Sequence, residues 1–498
     1  MNVNPITRLD YPDLDVIRVE DTYYMVSTTM HFMPGCEILQ SFDLVHWEHV
    51  TYVYETLDHT DAQQLKSGQN IYGQGMWAAS LRYHEGRFCI CFVANDTRKT
   101  YLYTSEKIDG PWKKQLIEGF YHDASLLFDE DGRNYIVYGN DEIWITELNE
   151  DLTAPKKDGL HRLLVSDHKN PELGYEGSHI QKINGYYYIF LVHSLRDRWM
   201  RTEACFYSDS LEGEFTGGDV LCDDRGYCGQ GVAQGGIVDT PDGKWYAMLF
   251  QDSGAVGRIP ILLPVTWKDH FPVFGQNGHV PEEIEVHSTR PGYIYQPLVG
   301  SDDFCNGLLP RWQFNHDPDP RYYHLDALQG TYTITTREVC TELTQAVNTL
   351  TQRMSYPSCA AEVTVDASAL KEGDVAGLCA LQGCYAAVGI TKHHGKYEVL
   401  MLDKKEDGIL DMTEGTVVES HQMDFRLEAD FCNMKDEARC YYRVNKGDWL
   451  PIGTVHKLYF KLDHFTGCRF GLFCYAAEET GGSACFRDFK YYDVDEIS

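Results

Sequence analysis

Asp13, Asp123 and Glu176 are the residues of this 498-residue chain whose type and placing most invite chemistry. Hydrolysis of a polar bond needs one protonated carboxyl to donate to the departing oxygen and one ionised carboxylate to take a proton from water. A third carboxylate nearby separates those roles, because like charges disfavour a second ionisation and raise the pKa of the neighbouring acid. Each of the three acids opens one copy of a recurring phrase. Trp77 and Gln234 open two more copies, so an aromatic face and an amide accompany the acids.

The phrase itself dictates what must position them. It runs lead residue, short apolar strand, tight turn, then a second strand rich in Tyr, Ile and Val. In residues 123–139 the turn is Asp131-Gly132, a pair whose tolerance of positive φ makes it a strong hairpin signal. The copies start at residues 13, 77, 123, 176 and 234, about 46 to 64 residues apart, and hairpin repeats near that period imply a β-propeller with one four-stranded blade per copy. Five copies predict five blades. The first strand of a blade lies nearest the axis, so all five lead residues are expected to face one central cavity, and three carboxylates, an aromatic and an amide together suit a carbohydrate.

Blander readings compete with these. A single Asp before a strand is commonly a turn or cap residue, but three acids opening three of five equivalent repeats are not explained that way. Asp15 lies two residues beyond Asp13 on the same strand face and rivals it. Trp77 reads otherwise as core, Gln234 as a structural hydrogen-bonder, and Arg258 as a surface charge or ion-pair partner. His31 and Phe32, on the loop after the first hairpin, are expected at the pocket rim as substrate contacts.

The propeller is expected over residues 1–296. Residues 281–300 carry connector chemistry in Arg290-Pro291-Gly292 and Gln296-Pro297. A different rhythm follows, with short strands expected at residues 331–335, 361–365, 385–390, 396–402 and 470–475 among Gly-rich turns, which predicts a β-sandwich over residues 302–498. The whole chain therefore reads as all-β. A formal net charge of −32 disfavours nucleic acid and anionic membranes as partners. No apolar run approaches the roughly 18 residues of a membrane span, and no basic-then-apolar leader opens the chain. The 16 Cys lack metal-type spacing and are expected as reduced thiols, and the 20 His show no HExxH pattern. A cytoplasmic enzyme acting on a small molecule is the expectation, with oligomeric state open.

With these residues in view, the chain resembles glycoside hydrolase family 43, the β-xylosidases and α-L-arabinofuranosidases, over nearly its whole length. Residues 11–19, with Tyr11-Pro12-Asp13, resemble the family's opening motif and imply Asp13 as general base. His122-Asp123-Ala124-Ser125-Leu126 is similar to the motif of a second Asp that orients the acid and tunes its pKa. Tyr175-Glu176-Gly177 resembles the acid motif and implies Glu176 as general acid. Trp77 matches an aromatic that stacks on the sugar, and Gly257-Arg258 with Pro264-Val265-Thr266-Trp267 resembles the late motif whose Arg reaches the substrate. Residues 312–316 and 373–378 resemble the accessory sandwich, a loop of which helps close the pocket.

One departure is Gln234, where many members carry a His that faces the axis and helps hold a metal ion. A Gln offers Ca²⁺ only a neutral, weak carbonyl oxygen. The resemblance thus allows a structural Ca²⁺ on the axis with Gln234 as its ligand, while the chemistry needs no cofactor. It implies an exo-acting, inverting glycosidase that removes α-L-arabinofuranosyl or terminal β-D-xylosyl units from (arabino)xylo-oligosaccharides. The rival is a non-catalytic carbohydrate-binding propeller, which predicts loss of at least one of the three acids. Invertase-like fructosidases are set apart by their Asn-Asp-Pro opening and Glu-Cys acid motif, where this chain has Tyr11-Pro12-Asp13 and Glu176-Gly177.

Overall fold

The computed structural model describes residues 3–493. Five four-stranded antiparallel sheets form the propeller blades, and two larger sheets form a sandwich. Blade I holds Asp15–Val19, Thr22–Ser27, Gly35–Ser41 and Glu48–Tyr54; blade II holds Met76–His84, Arg87–Ala94, Lys99–Ser105 and Lys113–Ile117. Blade III is built from Ser125–Phe128, Asn134–Asn140, Glu142–Leu148 and His161–Ser166. Blade IV comprises Glu176–Ile183, Tyr186–Ser194, Arg201–Ser208 and Thr216–Leu221. Blade V comprises Val232–Asp239, Trp245–Asp252, Arg258–Lys268 and Phe271–Phe274.

The apolar second strands explain why the blades stack. Side chains of a strand alternate between its two faces. In Tyr186–Ser194, Ile189 and Leu191 pack into the core shared with blade III, while Tyr188 and Phe190 pack into the core shared with blade V. A strand apolar on both faces has no solvent side, and each blade is accordingly covered by two neighbours. Trp47, Trp112 and Phe215 sit between the third and fourth strands of their blades, directly before the fourth begins; the third strands end at Ser41, Ser105 and Ser208.

The ring is closed by the segment that leads into Asp13. Asn4 exchanges two hydrogen bonds with the Leu262 backbone, at 2.7 and 2.8 Å. Ile6 N donates to Pro260 O at 2.9 Å and Tyr11 N to Arg258 O at 3.0 Å. This lacing sets blade I against blade V, and with them Asp13 beside Arg258. Residues 281–300 do not hang free between the domains. Thr289 N donates to Phe42 O at 2.7 Å, and Arg290 pairs with Asp21 at 2.7 Å, strapping the connector along blade I.

The sandwich places a seven-stranded sheet, including Ser358–Asp366 and Gln422–Asp430, against a nine-stranded one that includes Val375–Leu381 and Tyr385–His393. One strand of the nine comes from the propeller. Phe32–Met33 leaves blade I and pairs with Gln313–Asn315. That corrects the expectation for His31 and Phe32: both are fully buried between the domains and do not rim the pocket. The Arg469 guanidinium lies 3.4 Å over the Phe32 ring, and His31 packs among Tyr72, His316 and His464. They seat one domain on the other.

A second seam lies closer to the site. Asp10 accepts from Arg258 N with one oxygen and from Gly467 N with the other, both at 2.7 Å, and Cys468 N donates to Ala255 O at 2.8 Å. A Cβ on Gly467 would stand 2.2 Å from the Val256 carbonyl, which is backbone and cannot rotate away. Gly467→Ala is expected to lose about 1–3 kcal/mol through overpacking. Calorimetry should show the lowered midpoint, and a raised KM should accompany it if the seam positions the roof of the pocket.

Candidate active site

The lead residues reach the axis through a shared backbone device. Asp13, Asp123 and Gln234 themselves have positive φ (49°, 47° and 65°); in blades II and IV the next residue does, Ala78 at 22° and Gly177 at 66°. The strand register slips at Trp77/Ser80, Glu176/His179 and Ala233/Gly236. Such a bulge re-aims a side chain at the rim of a sheet. Asp, Asn and Gly tolerate this backbone region best, which suits the acidic openings of blades I and III and the glycine after Glu176.

Asp13, Asp123, Glu176, Trp77, Arg258 and Gln234 come together at one mouth of the propeller. Asp13 Oδ1 accepts from Arg258 Nη1 at 2.8 Å, and Oδ2 from Thr28 Oγ1 at 2.8 Å; Thr28 Oγ1 in turn accepts from Ala78 N, tying Asp13 to the backbone beside Trp77. Arg258 is 2 % exposed, yet its Nε and Nη2 have no partner among the described residues. Two unused guanidinium donors next to Asp13 are suited to sugar hydroxyls. Asp15, the rival, points the other way: its Oδ1 meets His179 Nδ1 at 3.2 Å and its Oδ2 accepts from Arg82 at 2.7 Å. Burial alone would raise its pKa, but Arg82 and His179 hold it down to about 2. It is a fixed anion inside the axial channel.

Glu176 Oε2 accepts from Asn140 Nδ2 at 2.9 Å, and Asp123 Oδ2 accepts from Gly177 N at 3.1 Å. Burial raises Asp123 to about 6, with the charges of Glu176 and Asp13 pushing the same way and that of His122 opposing them. Gly177 is needed here twice over, since its φ is 66° and a Cβ would meet Gln234 Cγ at 2.7 Å.

Glu176 faces a cavity of about 590 Å³ that also takes in Trp77, His122, Trp199 and Arg201, with Phe460 and Phe465 of the sandwich as its roof. That volume matches small-ligand sites. Phe465 lies 5.5 Å from Trp77, and the Arg258 guanidinium 4.4 Å from Phe465, so the roof contacts both flanks of the mouth. The sandwich loops that reach the site are therefore those around Met434 and residues 460–465.

Gln234 sits under this cavity. Its backbone N donates to Glu203 at 2.7 Å, and it lines a pocket of about 10 Å³ with Asp13, Asp15 and Asp123. Calcium takes six to eight oxygens, and a space of that size holds about one water. Both oxygens of Asp13 and both of Asp15 already have partners, and the Arg82 guanidinium already supplies a cation to the channel. The residues around Gln234 do not fit a Ca²⁺ site.

Sequence reasoning did not single out His122, Asn140, Arg201, Asp252, Trp199 or Phe465. His122 adjoins Asp123 inside the phrase, so it was in plain view. Asn140 closes the second strand of blade III, and Arg201 opens the third strand of blade IV, where it pairs with Asp252. Phe465 comes from another domain, and no spacing in the propeller points to it.

The propeller, its ring of carboxylates and the aromatic roof are those of a glycoside hydrolase. The family model described as glycosyl hydrolases family 43 matches residues 3–272, and the beta xylosidase C-terminal concanavalin A-like domain matches residues 301–492. The chain belongs to glycoside hydrolase family 43. It is 26% identical to a beta-xylosidase of Formosa agariphila, across 99% of this chain and 89% of that protein. It is 25% identical to a non-reducing end alpha-L-arabinofuranosidase of Bacteroides ovatus, across 66% and 63% of the two. Among solved structures, a bifunctional GH43-CE protein of Bacteroides eggerthii superposes with a TM-score of 0.92 at 42% identity over 98% of this chain; this chain spans 63% of that one. A GH43 enzyme engineered for endo-xylanase and exo-arabinofuranosidase activity superposes at 0.87, with 27% identity over 99% of both chains.

Proposed function

We propose that the chain is an inverting, exo-acting glycosidase that releases α-L-arabinofuranosyl or terminal β-D-xylosyl units from short (arabino)xylo-oligosaccharides. The observation that carries this reading is the roofed mouth itself: Glu176 of blade IV faces a cavity under Phe460 and Phe465 of the second domain, with Asp123 of blade III bonded to the backbone beside it and Asp13 of blade I bonded to Arg258, which lies against Phe465. A covered cavity of about 590 Å³ takes the end or branch of a chain more readily than its middle. Relatives named for both pentosidase activities agree with that substrate class.

In this reading Glu176 gives its proton to the leaving oxygen as the glycosidic C–O bond breaks. Asp13 takes a proton from the water whose oxygen bonds to the anomeric carbon on the opposite face. Arg258 fixes Asp13 and offers its free donors to the sugar, while Asp123 holds the backbone beside Glu176. Proton NMR of the first-formed product decides the stereochemistry, and kcat/KM for the 4-nitrophenyl α-L-arabinofuranoside and β-D-xylopyranoside decides the sugar. The expected outcome is turnover of at least one glycoside with inverted product. A product of retained configuration, or activity confined to insoluble xylan, would overturn the proposal.

A further inference from the structure

His122 has no task in the scheme above, yet its placing is specific. It lies in the turn entering blade III, where its carbonyl accepts from Gly139 N at 3.0 Å. Its Nε2 is buried without a hydrogen-bond partner and stands 3.6 Å from Asp123 Oδ2 and 3.6 Å from Glu176 Oε2. At that distance it bonds to neither oxygen but acts on both charges. The groups facing it are Asp123 next in the chain, Glu176 from blade IV, Asp13 from blade I and the Trp77 ring from blade II at 6.1 Å. Asn140 holds Glu176 from the adjoining strand. Farther charged groups around the cavity are Glu172, Arg201 paired with Asp252, and Lys461 from the sandwich.

From this geometry we infer that His122 is a positioning residue: as a cation between Asp123 and Glu176, it sets the pH above which the acid pair gives up its proton. The inference rests on Glu176 being the acid of the proposed reaction. A positive charge beside two carboxylates favours their ionised forms, so it lowers the pH at which their shared proton leaves. Two coupled carboxyls lose that proton as a pair, and the activity limb reports the pair. The charge of Asp123 foremost, then a contact with Glu176, raises His122 to about 9 against the opposing effect of burial, so the imidazolium persists through neutral pH. Without it the repulsion between Asp123 and Glu176 is unrelieved, and the pair holds its proton to higher pH.

The test is the pH dependence of kcat/KM for wild type and His122→Gln, with His122→Asn as a second neutral replacement should Gln not fold. Two substrates are used: a methyl glycoside, whose leaving group needs protonation, and a 2,4-dinitrophenyl glycoside, whose leaving group does not. On the methyl glycoside the basic limb should move up by about one pH unit or more in the variant. On the dinitrophenyl glycoside neither enzyme should show that limb. A basic limb at the same pH in both enzymes on the methyl glycoside overturns the inference. So does a limb that moves equally on both substrates, because the proton concerned is then not the acid's. Full activity of Glu176→Ala on the methyl glycoside would instead remove the acid assignment beneath it, whereas its collapse beside an unmoved His122 limb removes only the inference.

Discussion

Asp13→Asn should abolish turnover almost completely whatever the leaving group, with kcat lowered about 10²–10⁴-fold, the usual contribution of one general base. Water is too weak a nucleophile to attack without a proton acceptor, and the carboxamide accepts none. The choice of Asn matters. Arg258 is 2 % exposed and donates to Asp13 Oδ1 at 2.8 Å. Asn keeps an oxygen for that bond and turns its amide N–H toward the Thr28 hydroxyl oxygen, so the geometry survives while the proton acceptor is lost. Asp13→Ala removes both, and an unpaired buried guanidinium costs about 3–5 kcal/mol. Comparing the two variants by calorimetry and by kinetics separates the chemical role from the structural one. If Asp13→Asn slowed only poor leaving groups, Asp13 would be the acid and the blades' roles would have to be exchanged.

Strand periodicity alone does not part Asp13 from Asp15, since residues two apart on a strand share a face; in the sequence only the phase of the opening motif favours Asp13. What parts them is the backbone turn that enters blade I. Positive φ at Asp13 turns its side chain toward Arg258, whereas Asp15, already in the regular strand, drops into the channel against Arg82 and His179. The five blades were legible because each second strand is apolar on both faces and each turn carries its own chemistry. Sandwich strands such as Thr331–Thr335 and Lys396–Lys404 were legible for the same local reasons.

What stayed hidden was everything decided between domains. His31 and Phe32 follow the first hairpin, so they read as pocket rim. In fact the chain there exchanges sheets, because Gln313–Asn315 offers Phe32–Met33 an edge to pair with. Phe460 and Phe465 carry no local signature at all. An aromatic in an irregular loop becomes a roof only because Asp10 and Gly467 clamp that loop against the end of blade V. Gln234 illustrates the converse. Its place at the axis was readable from the repeat, but what surrounds it depends on Arg82, two blades away, filling the channel with a cation of its own.

Glu176→Ala should show the opposite pattern to Asp13→Asn, a loss that depends on the leaving group. A poor leaving group departs as an alkoxide unless it is protonated, so kcat/KM on xylo-oligosaccharides or methyl glycosides should fall about 10²–10⁴-fold. A 2,4-dinitrophenolate leaves without a proton, so its glycoside should keep most of its rate. Folding is expected to hold, because Glu176 lies at the cavity wall with 18% of its side chain exposed and its one hydrogen-bond partner, Asn140, can turn to water. The contrast has a structural root. Asp13 is locked by Arg258 and Thr28 on one side of the mouth, while Glu176 stands at the wall of the larger cavity, held by a single amide and flanked by Asp123 and His122. In the proposed reaction the first carboxylate stays where water must be activated, and the second faces the departing sugar and exchanges its proton. Equal losses on both leaving groups in Glu176→Ala would mean that Glu176 binds sugar and does not protonate it, and the acid would then have to be sought at Asp123.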